Sequence, residues 1–351
     1  MELKEFLSKL SESAGVTGHE GEVGKLIREL MGGLADDVSV DKLGNCVFVK
    51  RGEGQGSRPR VMLAGHMDEI GLVVTKLEDG GFLRFTQMGG VDQRILPAME
   101  VTVHGKRALH GVIGGKPPHL ISPEEAAKAT KMEDLFIDVG LSTEQLRETV
   151  SVGDMITFHR PFTELAGGFA AGKSLDDRAG VAVIYACLCE LKKLRHTADV
   201  YGVATVQEEV GLRGATVSAY SIDPDLAVAI DVCQGDTAGV PEWRTAALDK
   251  GPAVCMGANI HPKVHTALVK TARDIGITYQ DEVAAGPTGT DAWAIQVSRA
   301  GVPTGLISIP LRYMHTSVET LSLGDVKNAG RLLAYFIAGV DQAFVEGLAC
   351  Y

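Results

Sequence analysis

The chain has 351 residues and a formal net charge of −11 at pH 7, with 45% hydrophobic and 23% charged residues, the balance of an ordinary soluble protein long enough for one large domain and a smaller one. That acidity, with no basic cluster to set against it, excludes non-specific binding to nucleic acid or to an anionic membrane surface. The polar, amphipathic start Met1-Glu-Leu-Lys-Glu-Phe6 lacks the apolar core of a signal peptide, and no apolar run approaches the roughly 18 residues of a membrane span, so a cytoplasmic location is expected. Cys46, Cys187, Cys189, Cys233, Cys255 and Cys350 are scattered through apolar segments without a Cys-x-x-Cys pair and read as reduced core residues.

Taken in order, the chain predicts a helix over Lys4 to Ala14, a break at Gly15-Val-Thr-Gly18, and a second helix from Glu20 to Leu34 with Val23, Ile27, Leu30 and Met31 at helical spacing. Strand-like runs follow at Val38 to Asp41, Cys46 to Lys50 and Arg60 to Gly65, with a glycine-rich turn before the last. From Leu72 to Leu165 the character changes to short β runs with many glycines, helical only at Pro123 to Lys128. Val101 to Lys106, Gly111 to Gly115 and Asp154 to Phe158 read as strands of a small β-rich module. The α/β pattern resumes at Gly172, so residues 1–71 and 166–351 read as one domain and 72–165 as an insertion. Helices are expected at Val181 to Lys193, Ala215 to Tyr220, Pro262 to Ile275, Ala292 to Ala300 and Leu323 to Leu348, the last opened by a capping box of Ser322 and Asp325. Strands are expected at Val200 to Val206, Leu226 to Ile230, Pro252 to Met256, Thr278 to Glu282 and Thr304 to Ile309. This alternation implies an α/β fold whose mixed, largely parallel sheet is sandwiched between helices.

The chemistry gathers at strand ends. Glu208 and Glu209 sit on the loop after the run ending at Val206, where adjacent carboxylates repel unless a cation lies between them or one is protonated. His66 and Asp68, two apart at a strand end, project to one face, so His66 can bind a metal while Asp68 accepts its other N–H. Asp176 and Asp177 stand at a helix mouth, where one is free to serve as N-cap. Asp231 ends an apolar strand, a poor place for an unpaired charge, and His315 follows another buried strand. Two imidazoles and several carboxylates of this kind suit a dinuclear site for zinc or a similar divalent ion, with a spare carboxylate as general base.

The blocks His66-Met-Asp-Glu-Ile-Gly71, Lys173-Ser-Leu-Asp-Asp-Arg178, Gln207-Glu-Glu-Val-Gly-Leu-Arg-Gly-Ala215, Asp231, Gly289-Thr-Asp291 and Met314-His-Thr-Ser-Val-Glu319 resemble, in that order, the tetrahedral aminopeptidases. These are cytosolic dinuclear enzymes that include glutamyl and deblocking types, and some are labelled endoglucanases. The resemblance implies Asp176 as bridging carboxylate, one metal on His66, Asp176 and Asp231, and the other on Asp176, Glu209 and His315. Asp176 is preferred to Asp177 because related enzymes can carry Asn at the second position. It further implies Glu208 as the base that activates a metal-bridging water for release of N-terminal residues from peptides, and Asp68 as the orienter of His66. Two divalent ions per subunit are implied, zinc first, with cobalt or manganese as substitutes. The inserted module is implied to be a dimerisation domain, with dimers building a hollow dodecamer.

Three rivals remain at this point. A related dinuclear amidohydrolase, a carboxypeptidase or deacylase, would want a cation for the substrate carboxylate, for which Arg178 and Arg213 are available. A glycosidase would need two metal-independent carboxylates. A scaffold with a structural metal would favour a closed cysteine shell.

Overall fold

The computed structural model describes residues 1–349 apart from 55, 121 and 123–127. The helical stretch expected from Pro123 falls outside the described residues, as does Cys350. The other five cysteines are free thiols.

The large sheet orders its strands as β1 (Asp37–Val40), β2 (Cys46–Lys50), β12 (Asp199–Thr205), β3 (Arg60–His66), β13 (Leu226–Gln234), β16 (Thr304–Arg312), β17 (Glu319–Ser322), β11 (Phe169–Gly172) and β10 (Thr163–Glu164). A side branch carries β14 (Ala253–Gly257) on β16 and β15 (Gln280–Ala284) on β14. The four central strands β12, β3, β13 and β16 run parallel, whereas β1, β2, β17, β11 and β10 pair antiparallel at the flanks. The central strands are buried on both faces and so read as continuous apolar runs. The short strands β17, β11 and β10 lack such a run, and the sequence does not mark them.

Side chains alternate along each strand, and that alternation builds two cores. Val61, Leu63, Val228 and Ile230 face helices Leu3–Glu12, Leu175–Leu191 and Leu323–Ala338. Met62, Ala64, Val203, Ala227 and Ala229 face helices Arg213–Ile222 and Asp291–Gln296. Helix Leu175–Leu191 is buried almost all round, between the sheet and helix Leu323–Ala338, which is why its sequence shows little amphipathic period. The expected final helix stops at Ala338 and resumes as Gln342–Glu346. Ser322 Oγ accepts the amides of Gly324 and Asp325, but the Asp325 carboxylate instead accepts those of Asp249 and Gly251, so only half of the capping box forms.

A second body is a closed barrel of β4 (Gly71–Leu77), β5 (Phe82–Met88), β8 (Phe136–Asp138), β7 (Ala108–Gly114), β6 (Glu100–His104) and β9 (Met155–Phe158). Leu72, Leu83, Val101, Val103, Ile137 and Ile156 fill it. Helix Thr143–Thr149 beside it has a complete capping box of Ser142 and Gln145, a local signal that hydrophobic period alone passes over. Among the described residues no helix is long and apolar enough to cross a membrane.

Candidate active site

The alanine-lined face of the sheet also presents the polar side chains. His66 ends β3 in the phase of Met62 and Ala64, with Thr205 of β12 as its register partner. Asp231 follows the phase of Ala227 and Ala229 and pairs with Ser308 of β16. The last β3–β13 pair is Ala64 with Ala229, so Asp231 stands level with His66. It is not the strand's last residue, as its neighbours suggested, because Val232 and Cys233 continue the ladder with Ile309 and Pro310. The ligand types therefore emerge together where the central parallel strands end, the crevice that open α/β sheets use for chemistry.

Asp176 lies between two imidazoles. Its Oδ1 is 3.2 Å from His66 Nε2 and its Oδ2 3.3 Å from His315 Nε2. Asp177 points elsewhere, accepting the His66 amide at 3.1 Å and the Gly180 amide at 2.9 Å. The latter bond makes Asp177 the cap of the regular helix, since Asp176 and Asp177 themselves have non-helical backbone angles. Ligand atoms of His66, Asp176 and Glu209 lie within 4.8 Å of one another, as do those of His66, Asp177 and Asp231. Both oxygens of Asp177 are already held by backbone amides.

Asp68 sets the Glu208–Glu209 loop. Its Oδ1 accepts the Glu208 amide at 3.1 Å and its Oδ2 the Glu209 amide at 3.2 Å. His66 Nδ1 finds the Asp68 backbone oxygen at 3.1 Å, with the carboxylate Oδ1 at 3.4 Å. An N–H donated there fixes the ring so that Nε2 faces Asp176. Glu208 Oε2 is 3.8 Å from His66 Nε2, and Glu209 Oε1 is 3.3 Å from His315 Nε2. Ser174, Gln207, Leu212, Tyr313 and His315 all have positive φ, so the backbone around the site adopts conformations that tertiary contacts must sustain.

Carboxylates outnumber imidazoles, and the charges strain against one another. Burial, with Asp176 nearby, holds the Asp231 carboxyl well above the usual range. Burial pushes Glu208 up to about 10, against the pull of His66, with Asp231, Asp291 and Glu209 adding to the rise. Hydrogen bonds to Asp176 and Glu209 push His315 up to about 11. Imidazole and oxygen donors carrying an excess of negative charge fit divalent cations, which would relieve this repulsion.

Several residues that sequence reasoning left without a role prove to be structural partners of the site. Buried Glu319 accepts the amides of Asp176 at 3.1 Å and His315 at 3.0 Å, tying together two segments that meet only in the fold. Gly90, just beyond β5 of the barrel, accepts from His315 Nδ1 through its carbonyl at 3.0 Å. A Cβ at Gly90 would lie 2.7 Å from that nitrogen. Asp291 accepts from Thr205 Oγ1 at 2.6 Å. Membership in the motif blocks singles out Glu319 and Asp291, but nothing local in the sequence marks Gly90. Arg178 is not available to a substrate: fully buried, it binds Glu69 Oε1 at 3.1 Å and the Met67 carbonyl at 3.2 Å, while Lys173 holds Glu69 Oε2 at 2.6 Å. Arg213 bonds Gln207 Oε1 at 3.2 Å on the surface.

His66, Asp176, Glu208, Glu209, Asp231 and His315 line one cavity of about 1180 Å³. The family described as M42 glutamyl aminopeptidase matches residues 44–332. A lysyl aminopeptidase of Pyrococcus furiosus is 38% identical over 341 residues, covering 93% of this chain and 94% of its own. A TET aminopeptidase from a marine sediment Thaumarchaeota archaeon superposes with a TM-score of 0.93 at 37% identity over 99% of both chains. The TET1 peptidase of Pyrococcus horikoshii, described as assembling into a tetrahedron or a large octahedral shell, gives 0.84 at 33% identity over 97% of this chain and 100% of its own. With this much of its length matched, the chain belongs to the M42 glutamyl aminopeptidase family and is a peptide hydrolase of the aminopeptidase type.

Proposed function

We propose that the enzyme removes N-terminal residues from peptides with the aid of two divalent ions, zinc in the first instance and cobalt or manganese as substitutes. The observation that carries this reading is the Asp176 carboxylate, each of whose oxygens faces a different imidazole. His66 and Asp231 would join Asp176 on one ion, and Glu209 and His315 on the other. When bound, such ions polarise the scissile carbonyl and make water acidic enough to ionise near neutrality. Glu208 takes the proton from the attacking water and returns it to the leaving amine. Asp68 keeps Glu208 and Glu209 in place through their amides, and Glu319 keeps Asp176 and His315 together.

Residues 72–165 would form the dimerisation domain, and dimers would build a closed dodecamer in the cytoplasm. The related amidohydrolase reading loses support because Arg178 is committed to Glu69 and buried. The test is hydrolysis of aminoacyl chromogenic amides with chelator and with zinc or cobalt restored. Activity on free-amine substrates that disappears with chelator and returns with metal is expected. Activity indifferent to chelator, or confined to N-acylated substrates, would overturn the reading.

A further inference from the structure

A second group of metal-ligating side chains lies on the outside of the barrel, apart from the cleft and from the motif blocks. Along β6 Val101 and Val103 are buried while Glu100 and Thr102 face out. In β7 Leu109 and Gly111 are buried and His110 is exposed, and at the end of β9 Phe158 is buried and the next residue, His159, is exposed. Register brings the outward residues together. Thr102 is the partner of His110 across the β6–β7 pair. Val101 pairs with Phe158 across β6–β9, and one step further the His159 amide donates to the Glu100 carbonyl at 2.9 Å. Glu100 therefore has His159 directly opposite on one side and His110 as its diagonal neighbour on the other.

The side chains converge on one another. His110 Nε2 lies 3.5 Å from Glu100 Oε2, and the His110 and His159 rings meet over β6 with centroids 4.7 Å apart at 84°. Thr102 Oγ1, 3.3 Å from His159 Nδ1, steadies that ring. One ligand atom from each of Glu100, His110 and His159 lies within 4.8 Å of the other two. A tetrahedral zinc with ordinary bond lengths holds neighbouring donors about 3.4 Å apart. The Glu100–His110 pair already has that spacing, and no pair in the group exceeds it by more than about 1.4 Å, which rotation of exposed side chains supplies. Among the described residues no lysine or arginine pairs with Glu100. Two imidazoles beside one carboxylate suit zinc, nickel or copper rather than magnesium or calcium.

We propose that Glu100, His110 and His159 bind a divalent ion of the zinc class on the barrel surface, cross-linking β7, β6 and the end of β9. Three protein ligands leave a coordination position for water. This site is independent of whatever the cleft holds.

The test counts zinc by equilibrium dialysis of the chelator-stripped full chain, comparing wild type with His110→Gln and His159→Gln, and repeats the comparison in an Asp176→Ala background that weakens the cleft. Each histidine variant is expected to hold one zinc per subunit fewer than its parent in both backgrounds, with kcat/KM on an aminoacyl amide unchanged. Zinc should also protect His110 and His159 from carbethoxylation, read by peptide mass mapping. Loss of an outer-shell partner alone costs about 10- to 100-fold in metal affinity, so Glu100→Gln, which removes a ligand, should raise the zinc needed for protection at least about 10-fold. Equal zinc counts in parent and histidine variants overturn the proposal. So does protection indifferent to Glu100, which would leave the two rings as a stacked pair only. If the cleft of wild type binds no zinc, the dinuclear reading fails, and the one-ion difference between parent and variant still decides the barrel site.

Discussion

Replacing Gly90 by alanine isolates the contribution of a residue that holds no metal and moves no proton. The new Cβ would stand 2.7 Å from His315 Nδ1 and 2.9 Å from Cε1. The ring must therefore retreat by roughly 0.7 Å to reach the 3.4 Å at which ordinary contact begins. Gly90 has no positive φ, so alanine suits the backbone and the perturbation is steric and confined to the ring. Retreat loosens the 3.0 Å hydrogen bond to the Gly90 carbonyl and turns Nε2 away from Asp176 and Glu209, each 3.3 Å distant. Loss of such an orienting partner costs about 10- to 100-fold in metal affinity, and a comparable misplacement costs about 100-fold in rate. Isothermal titration of chelated protein with zinc, beside kcat/KM on an aminoacyl amide, measures both. The expected result is one weakened zinc site, one preserved, and a global stability within about 1 kcal/mol of wild type. Two zinc ions bound with wild-type affinities would refute the idea that the Gly90 approach fixes His315.

Further outcomes follow from the same geometry. Glu208→Gln should lower kcat by several powers of ten while both ions stay bound, as read by metal content and kinetics on one preparation; full activity would remove Glu208 from the base role. Asp176→Ala, which takes away the oxygens facing both imidazoles, should weaken both metal sites together, whereas loss of a single ion would mean that Asp176 does not bridge. Glu69→Gln leaves Lys173 and Arg178 buried without their anion and should cost about 3–5 kcal/mol by chemical denaturation; a loss below about 1 kcal/mol would contradict that account. In the metal-free protein, Glu208 pushed up to about 10 by burial and His315 up to about 11 by its carboxylate partners each retain a proton that the unfolded chain has released above its ordinary pKa. The folded state thus binds more protons between about pH 6.5 and 10, and its stability must fall as pH rises through that window. A denaturation midpoint for chelated protein that is higher at pH 9 than at pH 7 would contradict the assignment.

Much of the candidate site is legible in the chain because its signals are local. A histidine or aspartate in or just past an apolar strand is costly unless paired, so His66, Asp231 and His315 stand out against their neighbours. The adjacent glutamates after Val206 and the aspartates before Arg178 stand out by mutual repulsion. Strand alternation then assigns a face, and the helical periods near the N-terminus announce Leu3–Glu12 and Gly21–Met31 within a few residues. The choice between Asp176 and Asp177 is different. Their sequence surroundings are nearly identical, and only the arrival of His315, well over a hundred residues later, gives Asp176 its second imidazole while the amides of His66 and Gly180 claim Asp177. The same holds for Glu319 bonding the amides of Asp176 and His315, for Gly90 reaching from the barrel to the His315 ring, and for Asp68 spending its carboxylate on the Glu208–Glu209 amides. These are contacts between segments remote in the chain, made where strand order brings them together. Residue type and spacing determine what chemistry the chain can offer, and tertiary register decides which atom of which residue delivers it.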